Sequence, residues 1–398
     1  MVRMSKASST RKVHQQYKLN NKLFSRHFFN LLILCIVGFA VALYVFLVKT
    51  EEKTAVQDAT DIVHERVAER VAAVRKGADI SVERLEEESS ETLDKVHHDS
   101  AAKMLPVSSI LPASRVVSLG LPFLVYGTAW KKEDTSHHVS EAVKAGFRFI
   151  DTACQPKHYN EPGVGKGWTA AANELGLQRT DLFLQTKFTS ISGQDPNNIP
   201  YDHTASLEAQ VARSLEVSLL NLQTSYLDSW VMHSPMSTIE ETMVVYRVME
   251  QAVDDGKVLR LGISNCYDYD QFTTIYDKAR IKPSVLQNRF YGDSNWDQDL
   301  RRFCKQNNIW YQSFWTLTAN RHALATNEAQ DWASSKQLTP QTLLYAYLMS
   351  LGYGTPLDGT TNVDHMKEDI AVMERLQSGE KIFADDQEIR NFERLLGF

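Results

Sequence analysis

Short apolar runs alternate with amphipathic stretches of helical length from Leu111 to the end of the chain. The runs predict strands, because short, nearly continuous apolar segments are typical of strands buried on both faces. The predicted strands are Phe123–Gly127, Phe147–Asp151, Leu182–Lys187, Ser229–His233, Leu259–Ser264, Val285–Phe290, Ile309–Phe314 and Tyr353–Asp358. The stretches between them predict helices near 136–145, 164–175, 205–221, 239–255, 269–279, 297–307, 340–351 and 363–376, with one more helix over Ala384–Leu396.

These elements make eight consecutive strand–helix units. Apolar strands separated by helices indicate a parallel sheet that is covered on both faces. Eight such units close naturally into a (β/α)8 TIM barrel, an α/β fold that we predict for residues 111–398. A doubly wound open sheet is the alternative. It would carry a G-x-G-x-x-G phosphate-binding turn after its first strand, and GTAWKK at 127–132 is not one.

The chain before the predicted barrel begins with a basic segment and an apolar one. Residues 1–27 are a basic leader without Asp or Glu, and residues 28–48 are uncharged and almost wholly apolar. About 20 apolar residues span a bilayer as a helix, so residues 28–48 predict a single transmembrane helix. The basic flank favours a cytoplasmic N-terminus, although an acid-free basic leader also fits an organelle targeting sequence. We therefore expect a single-pass protein with an N-terminal anchor in an endomembrane or organelle membrane.

Residues 49–110 are rich in Glu, Asp, Lys, Arg, Ala and Val. The valines Val63, Val67, Val71 and Val74 recur at helical spacing. We predict a charged stalk that is either a solvated helix or a disordered spacer. Self-association of the stalk through a coiled coil is the alternative.

Composition excludes a few classes of protein. Hydrophobic residues make up 43% and charged residues 23% of the 398 residues, which is ordinary for a globular protein. The net charge of -6 gives no indication of a nucleic-acid partner. The four cysteines, Cys35, Cys154, Cys266 and Cys304, form no C-x-x-C pair, which argues against a zinc site or a disulfide scaffold. We expect isolated buried thiols and no bound metal.

Four reactive side chains stand at or just beyond the ends of predicted strands. Asp151, Lys187 and His233 end the second, third and fourth strands, and Tyr159 follows in the loop after the second. Each residue alone has an ordinary structural interpretation, as a turn cap, a surface lysine, a loop aromatic or a core histidine. Catalytic groups of a barrel lie at the carboxyl ends of its strands, so these four are expected to converge.

Their residue types predict a general acid beside an oxyanion site. A phenol has a reference pKa near 10, which burial raises and a neighbouring ammonium lowers. We expect Lys187 to lower the pKa of Tyr159, with Asp151 keeping Lys187 charged and oriented. His233 can donate a hydrogen bond to a substrate oxygen that gains negative charge. No side chain here donates hydride, so a redox cofactor is needed.

Eight short motifs occur at or between these positions and farther along the chain: GTAW at 127–130, FIDTA at 149–153, YNEPGVG at 159–165, QTKF at 185–188, MHSP at 232–235, GISN at 262–265, LTP at 338–340 and LDGTT at 357–361. With them the chain, from about residue 111 to its C-terminus, resembles the aldo-keto reductase family. The resemblance implies a barrel that reduces carbonyl compounds with NADPH. It also implies a catalytic tetrad of Asp151, Tyr159, Lys187 and His233, with Tyr159 as the proton donor.

The resemblance also implies where the cofactor binds. It places the contacts to the nicotinamide carboxamide at Ser264, Asn265 and Gln287. It places the aromatic ring that stacks on the nicotinamide at Phe314, where relatives commonly have Tyr.

The segment that the resemblance assigns to the 2′-phosphate of the cofactor departs from the usual family pattern. Its residues are Gly359, Thr360, His365, Glu368 and Asp369. The usual Lys-Ser pair reads Gly359-Thr360, and the usual Arg is His365, so a planar guanidinium suited to phosphate is missing. Lys367 is the substitute cation nearby. We expect NADPH as the cofactor, with NADH as the alternative.

The sequence thus predicts a membrane-anchored oxidoreductase that acts on a small-molecule aldehyde or ketone. The alternative is a cofactor-binding regulatory or scaffold subunit that uses the same barrel with little turnover. The intact set of four reactive residues favours the enzyme, whereas the anchor and stalk leave room for the scaffold.

Overall fold

A computed structural model of the chain describes residues 110–398. Eight parallel strands form a closed barrel in chain order, and pairing of the first with the eighth strand closes it. The strands are β1 (Val125–Gly127), β2 (Phe149–Asp151), β3 (Phe183–Phe188), β4 (Ser229–Met232), β5 (Leu261–Ser264), β6 (Val285–Arg289), β7 (Trp310–Phe314) and β8 (Gly354–Asp358).

Helices follow every strand and surround the barrel. They are α1 (Ala113–Leu119), α2 (Thr135–Ala145), α3 (Glu161–Leu175), α4 (Leu207–Asn221), α5 (Ile239–Asp254), α6 (Tyr269–Lys278), α7 (Gln298–Gln306), α8 (Thr316–Ala319), α9 (Arg321–Leu324), α10 (Asn327–Ser335), α11 (Pro340–Ser350), α12 (Val363–Gln377) and α13 (Asp386–Leu396). Helix α1 precedes β1, and α13 follows the last strand–helix unit.

The predicted (β/α)8 barrel is confirmed. Every predicted strand is present, with ends that differ from the predicted ones by at most two residues. The doubly wound alternative is wrong, because Val125 and Tyr126 of β1 pair with Leu357 and Asp358 of β8 and leave no open edge. The pattern did not predict α1 or the three short helices α8, α9 and α10 after β7.

Several of the surrounding helices begin at capping side chains. Ser206, Thr238 and Thr339 each accept a hydrogen bond from the backbone N–H three positions later, at the first turns of α4, α5 and α11. Pro340 occupies the first helical position of α11, where its fixed φ suits a helix start. The strand-to-helix loops at the carboxyl end of the barrel therefore lead into well-defined helix starts.

The segment around Tyr159 is fixed by close packing. Asn160 caps α3 through its side chain, so the helix begins directly after Tyr159. Buried Glu161 accepts hydrogen bonds from hydroxyl groups of β3 and α4. A side-chain carbon at Gly165 would overlap the carbonyl oxygen of Asn221, so only glycine permits this approach of α3 to α4. The loop that carries Tyr159 therefore leads into a helix that is fixed by its contacts with β3 and α4.

The remaining sequence predictions divide at residue 110. Within residues 110–398, Cys154, Cys266 and Cys304 are buried and free, as predicted, and no helix there is long and apolar enough to cross a membrane. The leader 1–27, the predicted transmembrane helix 28–48, Cys35 and nearly all of the stalk lie outside the described residues.

Candidate active site

A cavity of about 1170 Å³ opens at the carboxyl ends of the strands. Its volume is slightly above the range of about 300–1,000 Å³ that is common for small-molecule sites. Twelve of the predicted site residues line it: Asp151, Tyr159, His233, Ser264, Asn265, Gln287, Phe314, Gly359, Thr360, His365, Glu368 and Asp369. Lys187, the remaining one, contacts Asp151 through a hydrogen bond.

Asp151 and Lys187 form a buried ion pair. Lys187 Nζ donates to Asp151 Oδ2 at 2.6 Å and to the carbonyl oxygen of Thr152 at 2.9 Å. Their side chains are only 2% and 1% exposed. Burial lowers the pKa of Lys187, and the charge and hydrogen bond of Asp151 oppose that shift. Because an unpaired charge is costly in the interior, each side chain holds the other in place.

The second oxygen of Asp151 is held by a cluster of glutamine amides. Asp151 Oδ1 accepts from Gln185 Nε2 at 2.7 Å and from Gln287 Nε2 at 3.0 Å. Gln312 Oε1 accepts from the same two amides at 2.6 and 2.8 Å. The cluster fixes the carboxylate in one orientation. Gln185 was not among the predicted site residues, although it lies two residues before Lys187 and therefore on the same face of β3.

Tyr159 lies above this pair, with Lys187 Nζ 5.2 Å from the centroid of its ring. Burial raises the pKa of Tyr159 above its ordinary value, and the charge of Asp151 adds to the effect. The net shift of this pKa is therefore upward, opposite to the direction expected from the ammonium of Lys187 alone. Asp151 offsets the ammonium at 2.6 Å, so desolvation of the phenol dominates. The phenol keeps its proton at neutral pH.

His233 presents its ring edge to Tyr159. The two ring centroids are 6.0 Å apart and the planes are inclined by 70°. Burial, followed by the charges of Lys187 and His158, lowers the pKa of His233 to about 3, so the imidazole is neutral at neutral pH. Its Nδ1 lies 2.6 Å from Thr189 Oγ1. When that hydroxyl donates to Nδ1, the ring proton resides on Nε2.

The residues predicted to hold a nicotinamide lie together on one side of the cavity. Ser264 Oγ donates to the carbonyl oxygen of Gln287 at 2.7 Å, and Asn265 Nδ2 donates to that of His233 at 2.9 Å. Phe314, at the end of β7, is half-buried and lines the cavity. Hydroxyl and amide groups next to an aromatic ring suit the carboxamide and ring of a nicotinamide. These residues therefore fit the group that the sequence implies.

The predicted 2′-phosphate segment has few free donors. The carbonyl oxygen of Gly359 accepts from Lys131 Nζ at 2.8 Å, and the backbone N–H of Thr360 donates to Asp358 Oδ1 at 2.9 Å. His365 and Glu368 are exposed on α12 and line the cavity. His365 is thus placed where a phosphate at this end of the cavity could reach it.

Asp369, also predicted to contact the cofactor, is engaged within the protein. It is 5% exposed, and its neighbour Asp358 is 2% exposed. The two carboxyl groups are hydrogen-bonded to each other, which requires that one of them carries a proton. Burial, reinforced by the charge of Asp358, raises the pKa of Asp369. Asp369 lines the cavity, but its carboxyl group bonds Asp358 and offers little to a phosphate.

Two basic residues near the cavity were missed by the sequence analysis. Arg289 lines the cavity and lies two residues after Gln287 on β6, so the two-residue period of a strand would have found it. Lys131 is 7% exposed and lies over the ring of Tyr126. Lys131 lies in a loop after GTAW, outside any strand or helix period, so the sequence pattern did not predict its position.

The barrel region is similar in sequence to a known family of proteins. The sequence model of the Aldo/keto reductase family matches residues 123–388. An aldo-keto reductase of Mycobacterium ulcerans is 28% identical over 256 residues, which cover 64% of this chain and 82% of that protein. Glyoxal reductase of Bacillus subtilis is 31% identical over 176 residues, 44% of this chain and 55% of that protein.

Solved structures show the same fold. An aldo/keto reductase from Brucella melitensis aligns with a TM-score of 0.54 and 23% identity, over 68% of this chain and 94% of its own. A Bombyx mori aldo-keto reductase in complex with NADP aligns with a TM-score of 0.54 and 20% identity, over 69% of this chain and 89% of its own. Because the family match covers most of the chain and the barrel agrees with it, the protein belongs to the aldo/keto reductase family and is an NAD(P)H-dependent carbonyl oxidoreductase.

Proposed function

We propose that this protein reduces an aldehyde or ketone with NADPH, with Tyr159 as the proton donor, while residues 28–48 anchor it in a membrane. The observation that supports the catalytic part is the convergence of Tyr159 and His233 on one cavity above the Asp151–Lys187 pair. The observation that supports the anchor is the uncharged, apolar sequence of residues 28–48.

The chemistry follows from the protonation states of these residues. Tyr159 holds its proton until a carbonyl oxygen gains negative charge and takes it. The ammonium of Lys187, 5.2 Å from the ring centroid, then stabilises the phenolate that remains. The neutral imidazole of His233, with its proton on Nε2, donates a hydrogen bond to the same oxygen and fixes the substrate's orientation.

A bound nicotinamide cofactor would supply the hydride that no side chain can donate. Ser264, Asn265 and Gln287 would hold its carboxamide, and Phe314 would provide the face on which its ring lies. The wall that these four residues make would place the substrate carbonyl between the nicotinamide and Tyr159.

The alternative function is a cofactor-binding scaffold with little turnover. Reduction of 4-nitrobenzaldehyde by the full-length protein, followed as loss of NADPH absorbance, distinguishes the two. We expect steady turnover that depends on both aldehyde and cofactor. Tight cofactor binding without turnover of this or other simple aldehydes would favour the scaffold.

Cofactor choice depends on His365. We expect NADPH to be preferred only weakly, because the position that would face the 2′-phosphate carries an imidazole instead of a guanidinium fork. His365→Arg should strengthen NADPH binding by about 1–2 kcal/mol, the increment of a charge-assisted hydrogen bond, and leave NADH binding nearly unchanged. Protein fluorescence titrations with both cofactors measure this.

His137→Arg is the matched control for this test, since His137 is an exposed helical histidine that does not line the cavity. It should change neither affinity. If His365→Arg also leaves the ratio of NADPH to NADH affinity unchanged, His365 does not face the phosphate, and the assignment of this segment is wrong.

Deleting residues 1–50 should release the protein from membranes with its carbonyl reductase activity retained. Residues 110–398 form a closed barrel around a core of their own, so the loss of residues 1–50 should leave that fold unchanged. Partition between membrane and supernatant fractions, with activity in each, measures this. Deletion of residues 1–27 alone is the control and should leave the protein in the membrane fraction. If the protein that lacks residues 1–50 stays in the pellet and loses activity, residues 28–48 belong to the fold.

A further inference from the structure

Arg289 projects into the cavity close to the catalytic layer of the barrel. It is the last residue of β6 and lines the cavity. It lies two residues after Gln287, so both side chains project from the same face of the strand, about 7 Å apart along it. Gln287 bonds Asp151, so Arg289 occupies the next position toward the cavity mouth.

Aromatic rings hold the guanidinium of Arg289 in place. Its central carbon lies 3.9 Å from the ring centroid of Trp315, 5.2 Å from that of Tyr291 and 5.9 Å from that of Phe314. Trp315 has a φ of +58°, a conformation that is uncommon for a bulky residue and persists where the surrounding structure imposes it. A guanidinium over a ring keeps its N–H groups in its own plane, where they remain a donor fork for a ligand beside the ring.

Among residues 110–398, nothing accepts a hydrogen bond from that fork of Arg289. Its Nε is buried without a hydrogen-bond partner, and within residues 110–398 no carboxylate forms an ion pair with its guanidinium. Arg301 shows the ordinary arrangement, since its buried guanidinium donates to the carbonyl oxygen of Trp296 at 2.8 Å. A partly desolvated guanidinium without an acceptor is unfavourable, and an anionic ligand removes that cost.

We propose that Arg289 binds an oxyanion group of a molecule that occupies the cavity, through a bidentate contact to carboxylate or phosphate oxygens. The proposal rests on the proposed carbonyl reduction, and it extends that function to ligands with an anionic group near the reacting carbon. Two molecules in the reaction can supply the group: a carbonyl substrate that bears a carboxylate, and the dinucleotide through its diphosphate. Both present the planar or paired oxygens that a guanidinium fork fits.

A matched pair of aldehydes tests the first source. We compare kcat/KM of the full-length protein and its Arg289→Met variant for 4-carboxybenzaldehyde and for 4-nitrobenzaldehyde, whose para groups have the same shape but differ in charge. Taking the ratio of variant to wild type for each aldehyde cancels the difference in their intrinsic reactivity. If the substrate carries the anion, the variant should lose at least about ten times more kcat/KM for the carboxylate than for the nitro compound. The Arg289→Lys variant, which keeps the charge without the planar fork, should show a smaller loss.

Cofactor titrations test the second source. If the diphosphate is the anion, Arg289→Met should weaken NADH and NADPH binding equally, by at least about tenfold, with no selectivity between the aldehydes. Arg260→Met is the matched control, because Arg260 also lies over aromatic rings, 5.6 Å from that of Trp310, but at the amino end of β5 and outside the cavity.

The proposal is wrong if Arg289→Met affects neither the aldehyde ratio nor cofactor affinity, or if Arg260→Met produces the same changes. If the wild-type protein turns over neither these two nor other simple aldehydes, the proposed carbonyl reduction is wrong. Quenching of tryptophan fluorescence by pyrophosphate and by benzoate then tests whether Arg289 binds an anion, independently of turnover. Saturable quenching that Arg289→Met or Arg289→Lys weakens supports the anion site, and identical quenching in wild type and both variants overturns it.

Discussion

Replacing Tyr159 with phenylalanine should lower turnover at least about a hundredfold, the low end of what a general acid contributes. The substitution keeps the ring that packs beside His233, at 6.0 Å between centroids, and removes only the proton. Cofactor affinity should stay within about twofold, because the residues proposed to hold the nicotinamide are untouched. Steady-state rates with 4-nitrobenzaldehyde and fluorescence titration with NADPH measure the two effects separately.

His158→Ala provides the comparison for the Tyr159 variant. His158 adjoins Tyr159 and also lines the cavity, but its ring packs on Trp130 at 3.9 Å. Loss of the His158 side chain should mainly raise KM, whereas Tyr159→Phe should mainly lower kcat. A folded Tyr159→Phe protein with nearly normal turnover would remove Tyr159 from the role of proton donor.

Replacing Lys187 with methionine should lower the free energy of unfolding by about 3–5 kcal/mol, the cost of breaking a buried ion pair from one side. The substitution leaves Asp151 2% exposed without its cation. The amides of Gln185 and Gln287 still bond Asp151 Oδ1, but they do not neutralise its charge. Urea unfolding followed by circular dichroism measures the loss.

Two further variants separate charge from packing. Lys144→Met removes an exposed partner of Glu174 and should lower the free energy of unfolding far less than Lys187→Met does, because water screens surface ion pairs. Asp151→Asn combined with Lys187→Met removes both charges and should recover part of the lost stability. If Lys187→Met costs no more than Lys144→Met, the Asp151–Lys187 pair does not stabilise the barrel.

The sequence predicted the barrel well because one simple pattern encodes it. Strands covered on both faces need mostly apolar residues, and β4, with the sequence SWVM, is buried along its whole length. The short helices after β7 were missed because segments as short as Thr316–Ala319 carry no readable period. The ends of the strands were less certain because the pairing of neighbouring strands sets them.

The predicted catalytic residues converge, because Asp151, Lys187 and His233 stand at or next to the carboxyl ends of strands that lie side by side in the barrel. The pKa of Tyr159 could not be predicted from residue types, since it depends on how far Asp151 offsets Lys187 and how deeply the phenol is buried. The bond between Asp358 and Asp369 was also beyond the sequence, because it joins β8 to α12 across a turn of unknown geometry.

Transfer of deuterium tests the central claim most directly. The full-length protein is incubated with 4-nitrobenzaldehyde and NADPH that carries deuterium at the transferable position of the nicotinamide, and the product is analysed by mass spectrometry. The account predicts 4-nitrobenzyl alcohol with one deuterium on the carbinol carbon, formed in a one-to-one ratio with oxidised cofactor, and at least about a hundredfold more slowly by Tyr159→Phe. Unlabelled alcohol, or bound cofactor with no alcohol from this or any simple aldehyde, would contradict it.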